Sequence, residues 1–252
     1  MLFNLFMSSF VIETNTTCYA DDGYCIASAD NKTEALSLLQ QKVTRAEQWM
    51  SGSGLAVNIA KTELAVFHRY DSGSSIIMLR DLEIRSKPVI NILGILFDTR
   101  LTWDSHVDHC ITRARKSQHV LRTVRSFFTE KEMANIITSI YYSKLYYGSQ
   151  VWLLPDLKDR HFKRLYSESG RALKLVDNSL SYRQLHKQFC RATPRIYSLY
   201  LTSTLLHRYL SDEMCAEQKL DINMIVTNET RNRFLTFVRN NNFKCGLNCF
   251  RN

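Results

Sequence analysis

No stretch of this sequence approaches the length of apolar run that crosses a membrane, so no membrane partner is expected. The apolar opening, Met1–Ile12, is closed by Glu13 and lacks the basic start of a secretion signal. No segment repeats at a fixed period. Basic residues are missing from the first 31 positions, which carry Glu13, Asp21, Asp22 and Asp30 for a charge of −4. The whole chain carries +9, so the remainder holds +13. An acidic start before a basic body suits a metal site beside a polyanion track. The seven cysteines are odd in number and irregular in spacing, which argues against a disulfide framework and for reduced thiols in an intracellular compartment, nucleus and cytoplasm being equally open. Cys245-Gly-Leu-Asn-Cys249 has no histidine after His207 to complete a zinc site. The 252 residues, 45% hydrophobic and 23% charged, suffice for a packed core in one large or two smaller domains.

The most informative stretch is Tyr19-Ala20-Asp21-Asp22, followed by Gly23. Its flanks, Thr16–Tyr19 and Tyr24–Ala27, favour β-structure, so the pattern reads as a hairpin with two carboxylates at or beside its tip. Two adjacent carboxylates on a rigid turn suit a divalent cation in phosphoryl or nucleotidyl transfer. The same dipeptide pattern also makes ordinary turns with no catalytic role. Cys18 and Cys25 either face one another across this hairpin or are two buried thiols.

Before the hairpin, Phe3, Phe6, Met7 and Phe10 recur at helical spacing. After it, Asn31 with Glu34 resembles a capping box, and Leu36, Leu39, Val43, Ala46 and Met50 form an apolar stripe that ends at Ser51-Gly52-Ser53-Gly54. Leu55, Val57 and Ile59 alternate as a strand would, Lys61-Thr62 marks a turn, and Leu64–His68 reads as another strand. Short β-prone runs follow at Ile76–Leu79, Leu82–Ile84 and Val89–Phe97, with Gly94 suggesting a bulge or a close backbone approach. From Ser105 the pattern is helical. Val107, Ile111, Ala114, Leu121 and Val124 form one stripe, and Arg113, Arg115, Lys116, Arg122 and Arg125 supply a basic face that either lies along phosphates or is simply solvated. Thr129-Glu130-Lys131-Glu132 is a capping box. The run Tyr141, Tyr142, Tyr146, Tyr147, Trp152 either stacks bases or packs helices. Pro155 suits the first turn of a helix over 156–176, and residues 180–210 read as further helix interrupted near Pro194.

Three stretches in this order resemble the reverse transcriptases of non-LTR (LINE-type) retrotransposons, over about residues 1–155. Tyr19-Ala20-Asp21-Asp22 resembles the family's Tyr-x-Asp-Asp palm motif. Gly54-Leu55-Ala56-Val57-Asn58 with Lys61-Thr62-Glu63 and Phe67 resembles the palm segment that keeps a lysine near the incoming triphosphate. Leu93-Gly94-Ile95-Leu96-Phe97-Asp98, then Leu101-Thr102-Trp103 and His106, resembles the primer-grip hairpin and its lead into the thumb. Tyr147-Gly148-Ser149-Gln150-Val151-Trp152 is similar to a stretch found further downstream in such elements.

The resemblance implies an α+β fold, with a partial polymerase palm and its primer-grip hairpin over 1–104 and thumb-like helices over 105–155; beyond it, the residue pattern itself reads as a helical extension over 156–218 and a polar, Asn-rich, partly ordered tail over 219–252. It implies RNA-directed DNA synthesis with Mg²⁺, or Mn²⁺ in its place, by two-metal nucleotidyl transfer. Asp21 and Asp22 would be the metal ligands and Lys61 the group near the leaving pyrophosphate. Tyr19, Leu93, Gly94, Ile95, Arg113, Lys116, Arg122 and Arg125 would meet nucleic acid. The partners are an RNA template, a DNA primer and dNTP, with no stable protein partner. Enzymes of this kind place another metal-binding Asp, basic fingers and a Gly-rich stretch ahead of the hairpin, but only 18 residues precede Tyr19. The expectation is therefore a truncated reading frame whose isolated chain does not polymerise. The alternative is a non-catalytic nucleic-acid-binding remnant.

Overall fold

The computed structural model describes residues 2–67 and 73–211, together with the backbone of 243–245. The chain divides into two compact units. The first holds the residues up to Ile90, Asp98–Leu101 and the strand at 243–245; the second holds Asn91–Phe97 and the chain from Thr102 through the last described helix.

The first unit opens on helix α1 (Leu2–Thr14), where Met7 and Phe10 are buried and Leu5 and Ile12 are exposed. Strands β1 (Thr17–Tyr19) and β2 (Asp22–Tyr24) form the expected antiparallel hairpin, and β3 (Ala27–Ala29) follows. Helix α2 (Lys32–Gly52) is capped by Asn31, whose side chain accepts the Glu34 N–H at 2.8 Å. Such a cap contributes about 1 kcal/mol. The helix stops where Gly54 takes a positive φ of 72° and the Leu55 N–H reaches back to the Met50 carbonyl at 2.8 Å. Phe10 and Trp49 meet between α1 and α2 with ring centroids 5.0 Å apart.

The expected strand over Leu55–Ile59 does not form. Residues Ile59–Lys61 make a 3-10 turn instead, because the Asn58 side chain accepts the Lys61 N–H and holds the chain in a tight cap. Strand β4 (Val66–Phe67) begins two residues after the expected Leu64, and His68 lies outside the described residues. Strands β5 (Ile76–Leu79) and β6 (Leu82–Arg85) pair with Ile77 opposite Ile84, through a two-residue turn at Arg80-Asp81. Strands β7 (Val89–Ile92) and β8 (Ile95–Asp98) form another two-stranded ribbon. Strand β9 (Phe243–Cys245) lies between β3 and β4, antiparallel to both. The unit's core joins Ala27, Ala35, Leu39, Leu64, Val66, Ile77, Leu79 and Ile84. The remainder of the 219–252 tail, with Cys249, lies outside the described residues.

The second unit is helical. Helices α3 (Asp104–Lys116) and α4 (Gln118–Val124) divide between them the single apolar stripe read from Val107 to Val124. They part at Ser117, which is buried and accepts from Lys144 Nζ at 2.5 Å. Helix α5 (Glu130–Ile137) begins at the expected capping box, with Thr129 and Glu132 bonded reciprocally. A π-turn (Thr138–Tyr142) leads to α6 (Ser143–Leu145) and α7 (Ser149–Trp152). Helix α8 (Asp159–Leu173) starts later than expected. Pro155 sits in the preceding turn, and Lys158, at ψ 136°, is extended before the first helical residue. Helix α9 (Tyr182–Gln188) carries a capping box at Ser181, and α10 (Pro194–Ser211) has Pro194 as its first residue, where a missing N–H costs nothing. Leu121, Met133, Ile137, Tyr141, Leu145, Trp152, Leu165, Leu173 and Leu185 are fully buried. The chain is thus a mixed helix and short-strand protein, in line with the α+β expectation. Among the described residues no helix is long and apolar enough to cross a membrane.

Gly170 fixes the approach of α8 to α9. A Cβ there would lie 2.5, 2.7 and 2.9 Å from Tyr182 Cγ, Cδ1 and Cδ2. The ring root can yield only by turning the whole side chain about χ1 or by moving α9. Gly170→Ala should gain about 1 kcal/mol of helix propensity and lose about 1–3 kcal/mol to overpacking. A lower urea midpoint for this variant is the expected outcome.

Candidate functional site

The acidic hairpin turns on two residues, Ala20 and Asp21, so that Tyr19 and Asp22 are paired across the strand ends. Ala20 carries the turn at φ +52°, a conformation a Cβ disfavours. Asp21 therefore sits in the turn itself and Asp22 is the first residue of β2. Both carboxylates are exposed, and Tyr19 is 65% exposed beside them. Burial first, and then the nearby Asp22 carboxylate, push the Tyr24 phenol above its ordinary range. The hairpin rests on the small cluster of Met7, Phe10 and Ala46, against which Cys18 and Cys25 are packed.

The register places Cys18 opposite Gly23, so the two thiols do not face each other across the hairpin. Both are free and half-buried. Burial pushes the Cys25 thiol up to about 11 and raises Cys18, which keeps both protonated and unreactive.

Among the described residues no group of three or more His, Cys, Asp or Glu side chains converges on a cation site. Asp21 and Asp22 are exposed carboxylates, the donor type of which Mg²⁺ takes one or two before water and phosphate oxygens fill its other positions. Lys61 ends the 3-10 turn with its side chain exposed, its N–H donated to the Asn58 carbonyl at 3.1 Å.

In the second unit, Leu93 and Gly94 form a two-residue turn between β7 and β8. Their φ values, +49° and +81°, are those a type I′ turn requires. Gly94 is thus a turn residue rather than a bulge. Leu93 pays about 1–2 kcal/mol for its left-handed backbone. Tyr147 packs on this turn. Its hydroxyl donates to the Leu93 carbonyl at 2.9 Å, and a Cβ on Gly94 would lie 3.1 Å from its ring. Ile95 is buried and packs on Gly148, where a Cβ would come within 2.5 Å of Ile95 Cδ1. The next amide, Leu96 N–H, donates to His106 Nδ1 at 3.2 Å. Burial pushes His106 down to about 4, so its imidazole is neutral and Nδ1 is free to accept.

The basic face of α3 and α4 divides by task. Arg113 is exposed and its guanidinium stands 5.7 Å from the Tyr147 ring centroid. Lys116 and Arg122 are exposed. Arg125 is half-buried and donates to the Leu175, Val176 and Phe128 carbonyls, which ties α4 to the end of α8. Arg115 binds the buried carboxylate of Glu168. On α8, Arg164 pairs with Asp108 and Arg171 with Glu168. The aromatic run is mostly core: Tyr141 and Trp152 are fully buried, whereas Tyr147 remains 42% exposed. Sequence reasoning missed Tyr147 as a partner of the turn, since 54 residues separate it from Leu93. The available signals were its place in the aromatic run and in the Tyr147–Trp152 stretch, and Gly148 beside it, a residue type that permits positive φ.

A stretch of 161 residues, 63% of the chain, is 24% identical to part of a protein of Drosophila melanogaster described as a probable RNA-directed DNA polymerase from transposon X-element. The match spans only 18% of that relative's length. No protein-family model matches the sequence, and no solved structure matches it. The chain thus has a distant, reverse-transcriptase-like relationship to a transposon polymerase.

Proposed function

We propose that this chain is the palm-hairpin and thumb portion of a non-LTR reverse transcriptase, with nucleic acid as its substrate. The observation that carries the reading is the placement of Tyr19-Ala20-Asp21-Asp22: Asp21 lies in a two-residue turn, Asp22 pairs with Tyr19, and both acids face solvent. The distant similarity to a transposon RNA-directed DNA polymerase supports it. Residues 1–104 act as the partial palm, 105–155 as thumb-like helices, 156–218 as a helical extension, and 219–252 as a tail.

In this reading Asp21 and Asp22 hold Mg²⁺, which when bound neutralises phosphate charge and activates the attacking hydroxyl. Lys61 meets the leaving pyrophosphate with its positive charge. The Leu93-Gly94-Ile95 backbone receives the primer end, where the missing Cβ of Gly94 allows close approach. Arg113, Lys116 and Arg122 lie along phosphates, while Arg125 supports α4 from within. Two-metal transfer needs bridging carboxylates from more than one strand. Since Asp21 and Asp22 share one hairpin, the isolated chain binds template–primer and does not extend it.

Two measurements on the purified chain test this. Binding to an RNA–DNA duplex should weaken roughly tenfold or more between about 50 and 200 mM salt, as neutralisation of several phosphates requires. Mn²⁺ retained in the presence of dNTP, read by electron paramagnetic resonance, should disappear in the Asp21→Asn, Asp22→Asn double variant. Unchanged Mn²⁺ retention would remove the metal role, and salt-independent or absent duplex binding would remove the reading. Primer extension by the chain alone would overturn its inactivity.

A further inference from the structure

We infer that Tyr147 is a positioning residue for the Leu93-Gly94 turn, holding its backbone in the form that receives the 3′ end of a primer strand. The inference rests on the function proposed above and assigns a task to a residue outside the three motifs that carry that reading.

Leu93 is one of eight non-glycine residues at positive φ among the described residues, and it sits in the turn that the reading assigns to the primer. A branched, non-glycine residue at φ +49° persists only where its surroundings over-determine it. The surroundings come from one short stretch, Tyr147–Trp152. The Tyr147 hydroxyl takes the Leu93 carbonyl at 2.9 Å. Its ring fills the space beside Gly94 to within 3.1 Å of a would-be Cβ. Gly148, at φ +61°, leaves room for Ile95, whose Cδ1 would be 2.5 Å from a Cβ there. Trp152 Nε1 donates to the Tyr147 carbonyl at 2.8 Å and so fixes the base from which the phenol reaches out. The stretch is a mould for residues 93–95.

Tyr147 is also too exposed for core packing to be its whole purpose. It is 42% exposed, while its neighbours Leu145 and Trp152 are fully buried. Its hydroxyl points at a backbone carbonyl, and the Arg113 guanidinium stands over its ring. A ring gripped by a turn on one side and a cation on another is held in place. It is therefore suited to hold the turn, and Arg113 brings a positive charge to the same spot.

The test uses the full chain and two probes: an RNA–DNA duplex with a recessed DNA 3′ end, and a blunt duplex of the same length. Tyr147→Phe keeps the ring and removes the hydroxyl. It should lower the preference for the recessed end about fivefold, the equivalent of one neutral hydrogen bond, with affinity for the blunt duplex unchanged. Amide exchange over Gly94–Leu96 should quicken by a similar factor. Adding Leu93→Asn to Tyr147→Phe should restore the preference, because Asn tolerates the left-handed region that Leu93 must otherwise be forced into; a purely structural tyrosine would not be rescued in this way. The rescue also serves if the single variant folds poorly. A Tyr147→Phe chain with full preference and unchanged exchange overturns the proposal. A wild-type chain that binds both duplexes equally overturns it too. A wild-type chain that binds neither removes the functional reading beneath it.

Discussion

Replacing Glu168 with alanine is expected to destabilise the helical unit by about 3 kcal/mol, read as a lower urea midpoint with an unchanged slope. Glu168 is 3% exposed on α8 and gathers three partners. Arg115 approaches with two nitrogens at 2.5 and 3.1 Å, Arg171 Nη1 lies at 3.1 Å, and the buried Tyr141 hydroxyl donates at 3.1 Å. Removal leaves the two guanidinium groups half-exposed, where water can serve them. The larger cost falls on Tyr141, whose hydroxyl loses its carboxylate acceptor inside the core, and on the cavity left behind. Glu168→Gln keeps the volume and one acceptor and should cost about half as much. The carboxyl also sets a pH dependence. Burial pushes it upward, but Arg115 and Arg171 outweigh that and hold it below its ordinary 4.5. A carboxylate with a depressed folded pKa contributes stability that is complete above the unfolded value and is lost as pH falls through the folded one. Relative to wild type, Glu168→Gln should therefore show a flatter loss of stability below about pH 4.5. Parallel acid limbs for the two proteins would mean that Glu168 is not the group being titrated.

The contrast between Glu168 and the acidic hairpin shows what a linear reading can reach. Tyr19-Ala20-Asp21-Asp22 was legible because the signals for the turn are local: β-formers on both sides and turn residues between. The caps at Asn31 and Thr129 were legible for the same reason, each being closed within three residues. The strand expected at Leu55–Ile59 failed because alternation of apolar residues competes with Asn58, whose side chain offers the backbone another partner. The helical pattern read from Ser105 breaks at Ser117, a buried residue whose hydroxyl accepts from Lys144, 27 residues away and out of reach of any local pattern. Charge behaved similarly. Arg113, Arg115 and Arg125 look alike in sequence, yet one lies over an aromatic ring, one serves a buried acid and one caps the end of another helix. Spacing along a helix gives the face, and only packing says what lies opposite.

Trp152→Ala should be at least as costly, about 3–5 kcal/mol, because the indole is fully buried and leaves a large cavity. The loss should also change the chemistry of a neighbour. The Trp152 ring meets His106 edge-on at 5.1 Å and helps keep water from it. Burial is what pushes His106 down to about 4 and leaves Nδ1 free to accept the Leu96 N–H beside the 93–95 turn. A histidine whose folded pKa lies below its unfolded value takes up its proton more readily when unfolded, so this group costs stability as pH falls from about 6.5 to about 4. With the indole gone and water admitted, His106 should titrate closer to 6.5, measurable from its ring-proton shifts by NMR on the fraction that remains folded. Trp152→Phe separates the two effects. It keeps an aromatic edge against His106 while removing the Nε1–H bond to the Tyr147 carbonyl, so it should leave the titration near 4 and loosen the turn alone. If Trp152→Ala loses its full stability but His106 still titrates near 4, the indole is core packing only, and the dryness of the imidazole must come from Trp103 and Cys110 on its other sides.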